Sequence, residues 1–251
     1  MIQKQASLNK NNHKYIIPLD GPTSAGTSSI GRTIVMALNE IFAGKWGFIS
    51  AGNLYRALTW YGLNYGLPPQ ELNKQIREGK IDMTFGAGQE KIIVNSVTLP
   101  TKELNSFEVN NNVANYASQK ELRDFLESNL FKKVTESEIS FVIEGRNMRH
   151  LFSGHELISL YLYTDIDTRA RRRYIDILNQ GEDKSLEEVK EMIISKDEKD
   201  YTRKIAPMTR PETAEGLYGY AYNNKDRSIP ESRDHMLLVV LKKIYEITHR
   251  D

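Results

Sequence analysis

YIIPLDGPTSAGTSSIGRT, residues 15–33, runs from a short apolar stretch through a turn bracketed by Gly21 and Gly26 into a helical pattern. Strand, glycine turn and helix in that order make a phosphate cradle. The glycines let backbone N–H groups curl round phosphate oxygens, and the helix N-terminus adds its dipole. The full pattern, G-x-x-x-x-G-K-[ST], places a lysine after the second glycine to neutralise the terminal phosphates. Here Thr27 stands in that place. Gly21, Ser24, Ala25, Gly26 and Thr27 form the candidate cradle, and Ser28 and Ser29 are the hydroxyls available to phosphate or Mg²⁺. The competing reading is a tight strand-to-helix connection with no ligand.

A chain of 251 residues can bury a full core, and one main domain with insertions is expected. Lys and Arg total 34 against 33 Asp and Glu. That balance gives no bulk electrostatic footprint for nucleic acid or an anionic membrane, so anion binding must be local. Cysteine is absent, which excludes disulfides and thiolate chemistry and fits a cytoplasmic location. His150 and His155 are the closest histidine pair, without the partners a metal site needs. No apolar run approaches the ~20 residues of a bilayer span. The polar stretch 1–14 reads as a flexible leader.

Along the chain, 15–19 reads as a buried parallel strand, with Pro18 expected at its end because proline has no N–H for a ladder. Apolar spacing gives a helix over 28–42, stopped by Gly44, then a strand at 46–49 and a helix over 53–65. Within 67–105, Gly86-Ala87-Gly88 separates two strand-like runs as in a hairpin. Helices are expected within 106–136, strands at 140–145 and 157–163, and a helix pair over 168–179 and 186–195. The stretch 214–222 fits neither helix nor strand clearly, and 237–247 is an amphipathic helix. The class is α/β with a parallel sheet.

Phosphoryl transfer is mostly positioning and charge neutralisation, so arginines on separate elements are the next signal. Arg56, Arg123, Arg146, Arg172, Arg173 and Arg203 are so distributed. Each taken singly also fits a solvated surface arginine. Arg146 lies just past a buried strand, where the ligand crevice of an α/β sheet is built.

Together these motifs resemble the bacterial cytidylate kinases over residues 15–207, with the similarity fading beyond. The loop GPTSAGTSS, the segment SAGNLYR at 50–56, Leu122-Arg123, EGRN at 144–147, RARRR at 169–173 and KDEKDYTRKIAP at 196–207 match family motifs in order. The resemblance implies a P-loop nucleoside monophosphate kinase fold. Its core would be 15–66 and 106–251, with a β-rich monophosphate-binding insertion at 67–105 and a helical lid near 184–204 that is mobile without ligand. It implies transfer of the ATP γ-phosphoryl, with Mg²⁺, to CMP or dCMP and by extension UMP, by a monomer with no membrane or nucleic-acid partner.

By the same resemblance, Arg172, Arg173 and Arg203 face the transferring phosphates. Arg56 and Arg146 clamp the acceptor monophosphate, beside Ser50; Lys196 and Asp200 sit near its ribose; and Arg123 and Asn147 read its base. The departures fall at these positions. Thr27 replaces lysine, Ser50, Glu144 and Asn147 replace aspartates, Lys196 replaces arginine, and Ala114 replaces a base-reading serine. Three readings follow: an active kinase in which another cation, with Arg32 and the lid arginines as candidates, serves for the lysine; a nucleotide-binding pseudokinase with little or no turnover; or a structural or interaction protein that keeps only the fold.

Overall fold

The computed structural model describes residues 13–88, 91–100, 102–179, 181–203 and 206–249, so most of the expected leader lies outside the described residues. The chain divides into two compact units, one holding the residues up to Trp46 with those from Phe141 onward, the other Gly47–Ser140. The stretch 67–105 falls wholly inside the second.

The elements run β1 (Ile16–Asp20), α1 (Thr27–Ile41), β2 (Trp46–Ser50), α2 (Ala51–Asn64), α3 (Pro69–Arg77), β3 (Met83–Phe85), β4 (Ile92–Val94), β5 (Val97–Thr98), α4 (Phe107–Ala117) and α5 (Lys120–Glu136). They continue with β6 (Ser140–Gly145), α6 (Met148–Leu151), β7 (Leu160–Tyr163), α7 (Ile166–Asn179), α8 (Leu186–Thr202), α9 (Pro211–Ala214), β8 (Tyr220–Asn223) and α10 (Ile229–Thr248).

In the first unit the strands lie in the order β6–β1–β7–β8, all parallel. β1 and β6 are buried at every residue, as continuous apolar runs in a parallel sheet should be. Leu19 pairs with Glu144 and Asp20 with Gly145, so the turn after β1 and the turn after β6 emerge side by side. Pro18 is not at the strand end but in its middle, opposite Ile143. Ile16 turns its carbonyl toward the β7 side, where Ile158 donates to it, and alternation turns Pro18 the same way. Its missing N–H thus falls between the Ile16–Leu157 bridge and the β7 ladder that begins at Leu19 and Leu160. The sheet tolerates proline there because that donor position is not used.

α7 and α8 close on a small core of Ala170, Ile177, Val189 and Ile193. The expected second helix runs further than 195 and takes in the charged stretch up to Thr202. A capping box starts it, Ser185 accepting from the Glu188 amide while Glu188 reaches back. The ambiguous 214–222 resolves into the end of α9 and the edge strand β8, which pairs with β7 from Tyr220 to Asn223. α10 begins well before 237, at a second capping box formed by Ser228 and Glu231.

In the second unit Ser50 caps α2 through the Asn53 amide, and Ser106 caps α4 through the Val109 amide. β3, β4 and β5 form an antiparallel sheet in that order, extending the expected hairpin by one strand. The β4–β5 turn uses Asn95 and Ser96, both at positive φ.

Candidate phosphate-binding site

The loop between β1 and α1 is shaped by close approach and by backbone hand. A Cβ on Gly21 would meet the Leu162 carbonyl oxygen at 2.2 Å, so only glycine passes β7 there. Ser24 and Gly26 take positive φ, 61° and 98°, and this reversal of hand turns successive N–H groups toward one concavity. Ala25 is fully buried beneath it.

Three arginines hold the loop by alternate carbonyls. Arg146 Nη1 donates to Gly21 O at 2.9 Å, Arg169 Nη1 to Thr23 O at 3.1 Å, and Arg172 Nη1 to Ala25 O at 3.1 Å. The buried Asn224, just past β8, joins the last contact, its Nδ2 donating to Ala25 O at 3.1 Å. Three guanidinium groups thus contact the loop, although its lysine is missing. Burial pulls the Arg172 guanidinium below its ordinary pKa, with Asp165 acting the other way.

Thr27, in the lysine position, is buried and donates through Oγ1 to Glu144 Oε1 at 3.0 Å. The strand register explains the pair, because Glu144 lies next to the end of β6, opposite Leu19 and beside the loop. Ser28 and Ser29 stay exposed on the first turn of α1, so of the three hydroxyls these two remain for an incoming phosphate or Mg²⁺. Among the described residues no three His, Cys, Asp or Glu side chains gather into a metal cluster.

Arg146 extends this network. Its Nη2 lies 3.4 Å from Thr23 Oγ1, its Nε 3.4 Å from Asp200 Oδ2, and its Nη1 3.9 Å from Glu144 Oε1. Burial works against its charge, but the carboxylates of Asp200, Glu144, Asp197 and Asp20 prevail and raise its pKa. Asp200 also binds Arg203, whose Nη1 stands 3.2 Å from Oδ1. One carboxylate thus joins the arginine after β6 to the arginine that ends α8.

The neighbouring Asp197 is buried, accepts from the Thr23 amide at 3.0 Å and pairs with Arg169. These contacts join α8 to the loop. Arg169, Asp197 and Asn224 were not singled out from sequence. Arg169 and Asp197 lie inside charged motifs that hid which member mattered, while Asn224 carries no local signal. Lys196 is exposed, Asn147 is half-buried at the start of α6, and Arg32 is exposed on α1, off the buried stripe of Ile30, Ile34 and Leu38. Arg173 is half-buried.

Asp20, fully buried at the end of β1, fixes the turn that carries Arg146. Its oxygens accept from the Met148 and Arg149 amides at 2.9 and 3.0 Å and from the Tyr218 hydroxyl at 2.9 Å. Burial raises the pKa of both Asp20 and Tyr218.

The second unit carries its own arginine group. Arg56 Nη1 is 3.4 Å from Asn53 Oδ1 and its Nε 3.3 Å from Asn110 Oδ1. A Cβ on Gly52 would come within 3.0 Å of Arg56 Nη1. Arg123 is buried; it donates to Ala117 O at 2.8 Å and to the Tyr55 hydroxyl at 3.1 Å, with Glu127 at 3.5 Å.

A parallel α/β sheet, a glycine loop leaving its first strand and arginines gathered on that loop define a P-loop kinase fold. The chain belongs to the cytidylate kinase family, whose model matches residues 17–218 and so reaches past Pro207. It is 31% identical over 207 residues to the bifunctional pantoate ligase/cytidylate kinase of Trichodesmium erythraeum, covering 81% of this chain but only 37% of that protein. It is 27% identical to the cytidylate kinase of Pediococcus pentosaceus over 81% of this chain and 87% of that one. An uncharacterized protein from Eubacterium ventriosum shares the fold at a TM-score of 0.52 and 14% identity, over 93% of this chain and 99% of the other. Among the described residues no helix is long and apolar enough to cross a membrane.

Proposed function

We propose that this protein transfers the γ-phosphoryl of Mg²⁺-bound ATP to a pyrimidine nucleoside monophosphate, CMP or dCMP and by extension UMP, as a cytoplasmic monomer. The observation that carries the reading is the network of Arg146, Asp200 and Arg203 around a loop that keeps its glycines and its left-handed turn at Ser24 and Gly26. Membership of the cytidylate kinase family supports it. In this reading the loop amides and Ser28 or Ser29 hold the donor with its Mg²⁺, and Arg172, Arg173 and Arg203 offset charge as the phosphoryl moves. Arg56 and Arg146, with Ser50, serve the acceptor phosphate, Lys196 and Asp200 its sugar, and Arg123 and Asn147 its base.

A second reading, a nucleotide-binding pseudokinase, is favoured by two contacts. Thr27 spends its hydroxyl on Glu144, and Asp197 occupies the Thr23 amide that would otherwise face phosphate. Coupled ADP-release assays with CMP, dCMP, UMP and AMP, beside calorimetric binding of each, separate the two. Turnover with a pyrimidine acceptor supports the kinase. Binding of CMP and ATP without turnover supports the pseudokinase, and binding of neither overturns both.

A further inference from the structure

The loop lacks its lysine, yet a triphosphate in it would still need a cation beside its terminal phosphates. We propose that Arg146, besides its expected place at the acceptor phosphate, is that cation, reaching the donor phosphates as a lysine at residue 27 does in the full motif. This rests on the reading above that the loop binds a nucleoside triphosphate.

Three guanidiniums touch the loop, and their surroundings separate them. Arg169 is spent: it is buried, bonded to Thr23 O and paired with the buried carboxylate of Asp197. Arg172 donates to Ala25 O at 3.1 Å and to both oxygens of Asn224 at 3.4 Å, which ties it to the residue that follows β8. Arg146 is the one joined to residue 27. The Glu144 oxygen that accepts from Thr27 at 3.0 Å is the same Oε1 that lies 3.9 Å from Arg146 Nη1. A lysine at 27 would itself neutralise Glu144. With a neutral threonine there, that role passes to Arg146.

The contacts of Arg146 also differ in strength. The 2.9 Å bond to Gly21 O anchors the guanidinium against the first glycine of the loop. The contacts at 3.4 Å, Nη2 to the Thr23 hydroxyl and Nε to Asp200, are longer than this bond. A guanidinium keeps several N–H donors in a fixed fork, so it can hold the loop and bind phosphate together.

The test is calorimetric binding of the β,γ-imido analogue of ATP with Mg²⁺ and no acceptor. The proteins compared are the parent, Arg146→Ala, Arg146→Lys, Thr27→Lys, and the double variant Arg146→Ala with Thr27→Lys. Arg146→Ala is expected to lose about ten- to a hundredfold in affinity, the range for a hydrogen bond to a charged group. Arg146→Lys should fall between, and Thr27→Lys should recover most of the loss in the Arg146→Ala background while adding little to the parent. Parent-like binding by folded Arg146→Ala overturns the proposal. So does an equal gain from Thr27→Lys in the parent and the double variant, a comparison that stands even if Arg146→Lys is unstable. A parent that binds no analogue fails at the first measurement, and then the nucleotide reading falls together with this one.

Discussion

Thr27 and Glu144 are bonded side chain to side chain at 3.0 Å, 117 residues apart in sequence and both buried. Two departures from the family's motifs, a threonine for a lysine and a glutamate for an aspartate, are thus one paired feature. The longer carboxylate reaches the hydroxyl that took the lysine's place. Thr27→Val keeps the shape and removes the donor, so it should destabilise the protein by about 1–3 kcal/mol, the cost of leaving a buried acceptor less satisfied. Urea unfolding measures this, and parent-like stability would show that the bond contributes nothing.

The half-buried Arg56, steadied by Asn53 and Asn110, is expected to bind the acceptor phosphate. Arg56→Ala should weaken CMP binding by about 1.5–3 kcal/mol. Unchanged CMP affinity, in a protein that still melts cooperatively, would remove Arg56 from the acceptor site.

Asp197 ties α8 to the loop through the Thr23 amide and Arg169. Asp197→Asn would leave the buried Arg169 guanidinium without its counter-charge, at a cost of about 3–5 kcal/mol. Amide exchange across residues 186–203 and at Thr23 should speed up in the free protein. Identical protection in parent and variant would mean that this contact does not hold the helix down.

In sequence, Ala114 and Asn147 stand where the resemblance expects a base-reading serine and aspartate. An amide both donates and accepts, so it fits the carbonyl of uracil as well as the amino group of cytosine. CMP should be favoured over UMP by far less than the roughly 10⁴–10⁵ of sites that commit their polar groups to one partner. Asn147→Asp should widen the gap. Strong rejection of UMP by the parent would place base reading on other residues.

Asp165 caps α7, accepting from the Thr168 amide at 2.9 Å and its hydroxyl at 2.8 Å. Burial opposes its charge, but these bonds and Lys225 win and lower its pKa from 3.8 to about 2. A carboxyl depressed in the folded state stabilises the fold above its unfolded pKa and loses that contribution as pH falls through the folded value. The parent's advantage over Asp165→Asn should therefore be full above about pH 4 and fade toward pH 2. Thermal melts across that window would read it, and a constant difference would rule out the cap as its source.

Much of the architecture was legible in the chain because it depends on neighbours a few residues apart. Apolar periodicity marked β1, α1, β6 and the α7–α8 pair, and glycine spacing marked the loop. Boundaries set by side-chain caps were read less well. α10 starts at Ile229 behind its Ser228 cap, where a capping box with Glu231 extends the helix before its apolar stripe begins, and α8 runs on to Thr202 through charged residues beyond Val189 and Ile193, which pack against α7. Pro18 was misplaced because its tolerance depends on which neighbouring strand lacks a ladder bond, a property of the sheet rather than of the strand.

By itself the sequence determined that a glycine-bracketed turn follows the first strand, that no lysine stands in it, and that Arg146 sits one residue beyond a buried strand. Those facts follow from local backbone rules. Only the tertiary structure decided what each group faces: Thr27 toward Glu144, Asp197 to the Thr23 amide 174 residues away, and Asn224 to the Ala25 carbonyl 199 residues away. Strand register makes these choices. Pairing Leu19 with Glu144 and Tyr163 with Asn223 brings the ends of β1, β6, β7 and β8 to one edge of the sheet, and no periodicity within a segment encodes which distant segment will lie beside it.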